Sequence, residues 1–422
     1  MRKLFNKIGS FEKDSIVLFV LMMVSNVCNY LFQIITGRLL SVEDYATINT
    51  LLSLLTIFSV PNAIIALVSA HFFAGAENKA YRSIIKLLVC LVMIISVIVF
   101  SIGLFLSDYI VKSFRLDSKN YVVYIIFLSI ISIINFAVKG ILQGIQKFFQ
   151  YGVDSVIIAV GKLTLSCILI FLGWRMFGVL TAIMTGTLLA IIYDLISIKP
   201  ILKNASKVSR GVKYITKDFV RYAFWVVMAQ GSMIVITNGD MLLIKYFFND
   251  AEAGVYSSAM VIGKIAMYVA SAVVATLFPL VTVKQKNGED TKGLLKRAFL
   301  YGGGMCLICV AVFLTVGNWI IGVLFGERYL YAIYYLPAVC VFVVPVTFLT
   351  ILMNYLLALD KAEFFAITSF MAMVGCVLMV RFFHKSIMGV MSICGGILTM
   401  VFFLNIFVYK SKNMKKANGS KR

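Results

Sequence analysis

Twelve strongly apolar runs, each close to the length that crosses hydrocarbon, dominate the chain and leave little between them for anything else. A helix rising 1.5 Å per residue needs about 20 apolar residues to span a bilayer core. Runs of that size, bounded by charged residues, fall at 15–36, 46–70, 84–106, 121–139, 153–173, 176–197, 219–243, 254–279, 297–321, 332–357, 363–383 and 387–409. With 61% of the 422 residues hydrophobic and only 14% charged, the apolar surface exceeds what a soluble interior can bury, so lipid must solvate the excess. The pattern predicts an all-α integral membrane protein of twelve transmembrane helices and excludes a soluble enzyme. The basic start, Arg2 to Lys13, leads into a run too long for a signal peptide and lacking a small-residue cleavage site. It reads as a retained first helix.

The charges support the span count. Lys and Arg total 39 against 18 Asp and Glu, a net +21 that in a soluble protein would point to nucleic acid. Here they occupy short gaps between apolar runs, and no nucleic-acid-reading motif accompanies them; the expected contact is with anionic lipid. Assigned to alternate sides, 28 fall with the termini and 9 opposite, while Lys162 and Lys264 lie inside spans. Such a bias predicts cytosolic termini and an even number of crossings.

The chain also repeats itself. Ser41-Val42-Glu43-Asp44-Tyr45-Ala46 aligns with Asn249-Asp250-Ala251-Glu252-Ala253-Gly254 at an offset of 208, and Phe114 aligns with Phe325 at 211. Leu142-x-Gly144-x-Gln146-Lys147 aligns with Leu356-x-Ala358-x-Asp360-Lys361 at 214. Three matches in one order argue for two homologous six-helix lobes of like orientation around a central cleft that holds the substrate. The lobes are expected at 1–198 and 219–409, joined by a basic cytosolic linker at 199–218 and followed by a basic cytosolic tail at 410–422.

Polar groups within spans are costly against lipid and should face protein or water. On the first span Asn26, Asn29 and Gln33 share one helical face, with Ser25 and Tyr30 beside it; Asn49, Ser53 and Thr56 do so on the second. The 208 offset carries these stripes to the seventh and eighth spans, where Gln230, Thr237, Asn238, Asp240, Ser257 and Lys264 cluster. Lys264 lies about ten residues into its span, near the bilayer midplane. Lys162 is similarly placed on the fifth, with Asp154, Ser155 and Ser166 at turn spacing. Two readings stand for these lysines. They line a cavity and attract an anionic head group, as a point charge does for phosphate, or Lys264 is neutralised by Asp240 while Lys162 snorkels to the rim. Asp240 reads either as an ion-coupling site or as the counter-charge, and Asp194, near a span end, as structural.

The remaining polar chemistry is sparse. All eight cysteines sit in apolar runs, and Cys306-x-x-Cys309 has neither a second such pair nor a metal-spaced histidine, so it reads as packing, with no metal or cofactor expected. His71 and His384 lie at span ends; His71 is weighed as a proton switch, but two histidines do not make a catalytic or metal constellation. Pro61, Pro279, Pro337, Pro345 and Gly302-Gly303-Gly304 could loosen helices for rocking motions or be tolerated kinks.

Four stretches carry a family resemblance: GRLLSVEDYA (Gly37 to Ala46), LQGIQKF (Leu142 to Phe148), the run from Asn238 through LFPLV to Val281, and LFGERY (Leu324 to Tyr329). They resemble the oligosaccharide flippases of polysaccharide export, in the superfamily that also holds the multidrug and toxin extrusion transporters and the lipid II flippases. The resemblance implies a twelve-helix, two-lobed bacterial inner-membrane protein that turns over an undecaprenyl-pyrophosphate-linked repeat unit by alternating access. It also implies a cationic inner cavity, for which Lys162 and Lys264 are placed, and a polysaccharide polymerase and glycosyltransferases as neighbours in the pathway. The rivals are a cation-coupled drug antiporter with Asp240 as the coupling site, a lipid II flippase, whose family carries two further C-terminal helices, and a membrane glycosyltransferase or ligase. The last would need an extramembrane cluster of catalytic side chains that the basic linker does not supply.

Overall fold

The structure, a computed structural model, describes residues 10–74, 81–203, 217–286 and 289–419. Among them the chain is helical, with no strand, and it divides into two compact units, Met1–Val220 and Arg221–Arg422. The N-terminal nine residues, Lys79, positions 204–216 of the expected linker and the last three residues of the basic tail lie outside the described residues.

The first unit holds α1 (Ser10–Leu39), α2 (Val42–Phe58), α3 (Asn62–Phe73), α4 (Tyr81–Ser113), α5 (Lys119–Gly144), α6 (Phe148–Phe171) and α7 (Arg175–Lys203). Among the described residues eleven helices are long and apolar enough to cross a membrane, and the bent pair α2 and α3 brings the number to twelve when it is counted as one span. The run expected as one helix at 46–70 is therefore corrected to two helices joined at a bend of 43°. Its cause is Pro61, which heads α3 and has no N–H to continue the ladder. The chain rounds the break through bonds from Val60 N to the Ile57 carbonyl (3.1 Å) and from Asn62 N to that of Ser59 (2.9 Å). Pro337 and Pro345, by contrast, lie inside one uninterrupted helix.

Within this unit α5 is the buried element, packed by α2, α3, α4 and α7. At the α3 crossing its Gly140 and Gly144 remove the side chains that would hold the backbones apart. A Cβ on Gly140 would lie 2.9 Å from the Ala66 carbonyl oxygen, and one on Gly144 2.8 Å from that of Ala70. Around this crossing Val68, Phe72, Phe73, Val138, Ile141 and Leu142 form a closed core. On α4, Val89, Met93 and Val97 recur every fourth residue and are exposed, the stripe expected to face lipid.

The second unit holds α8 (Lys217–Phe247), α9 (Asp250–Lys286), α10 (Lys292–Ala298), a π-helical turn (Phe299–Gly303), α11 (Gly304–Phe325), a 3-10 turn (Glu327–Tyr329), α12 (Ala332–Ala358), α13 (Glu363–Phe382) and α14 (Ile387–Gly419). The glycine triplet thus sits where the helix loosens to π geometry and recovers. Here α12 is the buried element, against α9, α11 and α14.

The sequence repeat is reproduced in backbone geometry, unit by unit. Ser41 Oγ caps α2 by accepting from Asp44 N at 3.0 Å, and its counterpart Asn249 Oδ1 caps α9 by accepting from Glu252 N at 2.8 Å. Arg115 and Gly326, which follow the matched phenylalanines, both have positive φ, 49° and 91°. Gln146 and Asp360 also enter the left-handed region, at 60° and 52°. In both turns the next amide closes a six-residue loop, Lys147 N to the Leu142 carbonyl at 2.9 Å and Lys361 N to that of Leu356 at 3.0 Å. This is the Schellman arrangement, made twice without the usual glycine. The fourth span of each unit, α5 and α12, is also its most buried continuous one.

Two residues counted as loop charges need correction. Lys139 lies inside α5 with a side chain 12% exposed, and Lys245 inside α8 is fully buried with Nζ 2.9 Å from Asp250 Oδ2. Their apolar stems let a lysine extend a helix well past the last apolar residue while its ammonium finds a carboxylate.

Candidate functional site

Each unit sets one intramembrane lysine toward its own first helix, by different routes. In the first unit, α6 and α7 approach closely at Gly161 and Gly186, where an added Cβ on Gly161 would sit 3.1 Å from the Gly186 Cα. The next residue, Lys162, points to α1: its Nζ donates to Asn29 Oδ1 at 2.5 Å and lies 4.3 Å from the centre of the Phe32 ring. An ammonium has three donors, and Asn29 is the one acceptor it meets among the described residues. Cation–π contact with Phe32 steadies the charge without neutralising it.

In the second unit the position matching Phe32 is Asp240, buried on α8. Tyr256 Oη donates to its Oδ2 at 2.8 Å, and Lys264 Nζ stands 3.9 Å from its Oδ1. Tyr256 and Lys264, eight residues apart on α9, lie on one helical face, which brings both to the same carboxylate. Lys264 keeps 21% of its side chain exposed, against 1% for Asp240. The carboxylate is thus held by the tyrosine, and the ammonium remains open to a second anion.

The other expected residues are distributed as follows. Asn26 is exposed on α1, and Gln33 Oε1 accepts from Tyr45 Oη at 3.4 Å. Asn49 donates to the Tyr45 carbonyl at 2.9 Å, Thr56 to that of Leu52 at 2.8 Å, and Ser257 to that of Ala253 at 2.8 Å. Ser53 is buried. These side chains mostly bond back to their own helix, which satisfies a polar group where water is excluded. Only Asn29 and Lys162 in one unit, and Asp240 and Lys264 in the other, meet one another. Cys306 Sγ lies 3.5 Å from Thr347 Oγ1, and no cluster of three or more metal-ligating side chains occurs among the described residues. His384 stacks on Phe247, ring centres 4.2 Å apart.

A third polar cluster was not anticipated from the sequence. Lys139 on α5 places Nζ 2.6 Å from Asp154 Oδ2 on α6 and 2.6 Å from Ser155 Oγ. Asn135 donates to Asp154 Oδ1 at 2.8 Å. Asp194 on α7 is fully buried beside them. The signal lay in hairpin arithmetic: Lys139 and Asp154 are equidistant from the turn at Gln146-Lys147, and Asp154 and Asp194 from Trp174 in the next turn. Antiparallel helices joined by tight turns bring such residues to one depth.

Comparison with known proteins places this architecture. A family model described as "Polysaccharide biosynthesis protein" matches residues 11–285. Among curated proteins, uncharacterized proteins of Mycobacterium bovis and Mycobacterium tuberculosis are 26% identical over 192 residues, 45% of this chain. The match spans 43% of those proteins' length. Among solved structures, an inward-facing multidrug resistance MATE family transporter of the MOP superfamily superposes with a TM-score of 0.74 at 13% identity, covering 96% of this chain and 99% of that one. The MATE multidrug transporter DinF-BH gives 0.68 at 15% identity, covering 94% of each. At these identities the likeness shows the fold, a two-lobed MATE-like bundle. Family match and fold are those of multi-pass membrane transporters and not of enzymes.

Proposed function

This chain belongs to the polysaccharide biosynthesis protein family, and we propose that it is a flippase that carries an undecaprenyl-pyrophosphate-linked oligosaccharide repeat unit across the bacterial inner membrane by alternating access. The observation that carries the reading is the pair of incompletely neutralised lysines, one in each unit. Lys162 is bound only to an amide and a ring face, and Lys264 stands off at 3.9 Å from a carboxylate already held by Tyr256. A pyrophosphate offers each ammonium the acceptors and negative charge it lacks. Exposed Asn26, with Asn29 and Gln33 on the same face of α1, supplies amides suited to sugar hydroxyls. Asn49, Ser53 and Thr56 in the first unit and Ser257 in the second are further polar residues on the membrane helices of their own units. The polyprenyl tail stays in lipid, and no bond is made or broken. Partners in this reading are membrane lipid, the glycosyltransferases that build the unit and the polymerase that consumes it; nucleic acid has no role.

A second reading has its own support. Asp240 is a buried carboxylate inside a MATE-like fold, the kind of group a cation-coupled drug antiporter uses for coupling. Purified protein in liposomes separates the two. Translocation of a lipid-linked oligosaccharide without efflux of soluble cationic dyes supports the flippase; cation-driven dye efflux without oligosaccharide translocation overturns it in favour of the antiporter.

A further inference from the structure

We infer that Lys139, Asp154 and Asp194 form a proton-binding site within the first unit, distinct from the lysine positions assigned to the substrate, and that its proton is exchanged during the transport cycle. The coupling part of this inference rests on the transporter reading above; the binding part does not.

Asp154 and Asp194 are each 0% exposed, and among the described residues Lys139 is the single cation that reaches them. Two carboxylates against one ammonium leave a net negative charge in an apolar interior, where an uncompensated ion costs several kcal/mol. One proton removes it.

The geometry says where that proton goes. Asp154 is ion-paired with Lys139, whose Nζ lies 2.6 Å from Oδ2, and accepts from Asn135 at 2.8 Å through Oδ1, which leaves Oδ2 without a hydrogen-bond donor. Asp194 sits beside Asp154, and neither of its own carboxyl oxygens has a hydrogen-bond partner among the described groups. An ionised Asp194 has nothing to accept from there, whereas a protonated one donates to Asp154. The pair then holds one proton between two carboxyls, as close carboxylates do when both cannot ionise.

A metal ion fits the cluster poorly. The ammonium of Lys139 already occupies the cation position beside Asp154, and Asn135 presents its amide N–H rather than its oxygen. The groups around Asp194 are accounted for helix by helix. On α5 there is Lys139; on α6, Asp154 and Tyr151, whose ring lies 4.6 Å from the Lys139 ammonium. On α1, the neutral Ser25 bonds to the Ser155 carbonyl at 3.0 Å. Lys147, at the start of α6, is bound to the Ser197 carbonyl at 3.0 Å, nearly a turn beyond Asp194.

Release of the proton to water leaves an Asp194 carboxylate that cannot stay buried without a donor, so α5, α6 and α7 must move apart or admit water. Deprotonation thereby favours a different arrangement of these three helices, and that difference is what couples a proton to a transport step.

The test compares wild type with the neutral isosteres Asp194→Asn and Asp154→Asn. Each keeps the side-chain shape and leaves one carboxylate opposite Lys139, so both variants fold. Infrared spectra of the reconstituted protein at pH 7 should contain a protonated-carboxyl C=O band that both substitutions remove. Retention of the same bands in Asp194→Asn overturns the site. With a lipid-linked oligosaccharide as cargo, a proton gradient should change the wild-type rate about tenfold or more and leave the Asp194→Asn rate unchanged. An equal gradient effect in both overturns the coupling. If wild type moves no oligosaccharide yet shows the band, the cargo assignment fails while the proton site is supported.

Discussion

Lys264 Nζ comes no nearer than 3.9 Å to Asp240 Oδ1, while Tyr256 Oη donates to the other oxygen of the same carboxylate at 2.8 Å. The buried carboxylate therefore depends more on a neutral phenol than on its cation. Tyr256→Phe removes that donor from a group 4% exposed and should cost about 1–3 kcal/mol. Lys264→Gln should cost less. Thermal unfolding of the purified protein in detergent checks the order; a larger loss for Lys264→Gln contradicts it.

Removing Lys139 should be the most damaging single change in the first unit. Lys139→Met strands the Asp154 carboxylate, and breaking one side of a buried pair costs about 3–5 kcal/mol. Adding Asp154→Asn should restore much of the loss, because Asp194 then remains the only ionisable group. A double-mutant cycle by unfolding in detergent measures this, and simple additivity of the two losses contradicts it.

At the α3 and α5 crossing there is no room for a side chain. Gly140→Val would bring a Cβ within 2.6 Å of the Ser69 Cβ and 2.9 Å of the Ala66 carbonyl oxygen. Separation of the helices should cost about 1–3 kcal/mol, the usual penalty of overpacking. A lowered unfolding temperature checks it, with Gly375→Ala as a control, since a Cβ there meets nothing within 4 Å.

The repeated turns make a paired prediction. Gln146 and Asp360 hold left-handed backbone at φ 60° and 52°, a conformation that costs a side chain about 1 kcal/mol more than glycine. Gln146→Gly and Asp360→Gly should each leave stability unchanged or raise it, whereas Gln146→Val and Asp360→Val should lower it. Opposite signs at the two positions, read by unfolding temperature, contradict their equivalence.

Much of this was legible in the chain itself. Apolar run length located the spans, and three short matches located the repeat, because helix caps and hairpin turns depend on local residue types such as Ser41 and Asn249. The break at Pro61 was marked by the proline, but its bend needed the neighbouring helices. Lys139 was misplaced for a physical reason: its long stem belongs to the helix while its charge resembles a loop residue. The polar stripe of α1 and the intramembrane Lys162 were each legible, but the contact between Lys162 and Asn29 was not: it depends on the close approach of α6 and α7 at Gly161 and Gly186, which periodicity within one helix does not reveal.

The central claim is that Lys162 and Lys264 hold an anionic head group. It is tested most directly by the translocation rate of a pyrophosphate-linked oligosaccharide in liposomes carrying wild type, Lys162→Ala, Lys264→Ala and the corresponding arginine variants. A charge-assisted contact contributes about 1.5–3 kcal/mol, so each alanine variant should slow transport about tenfold or more, with arginine recovering most of it. Undiminished transport in both alanine variants would contradict the account.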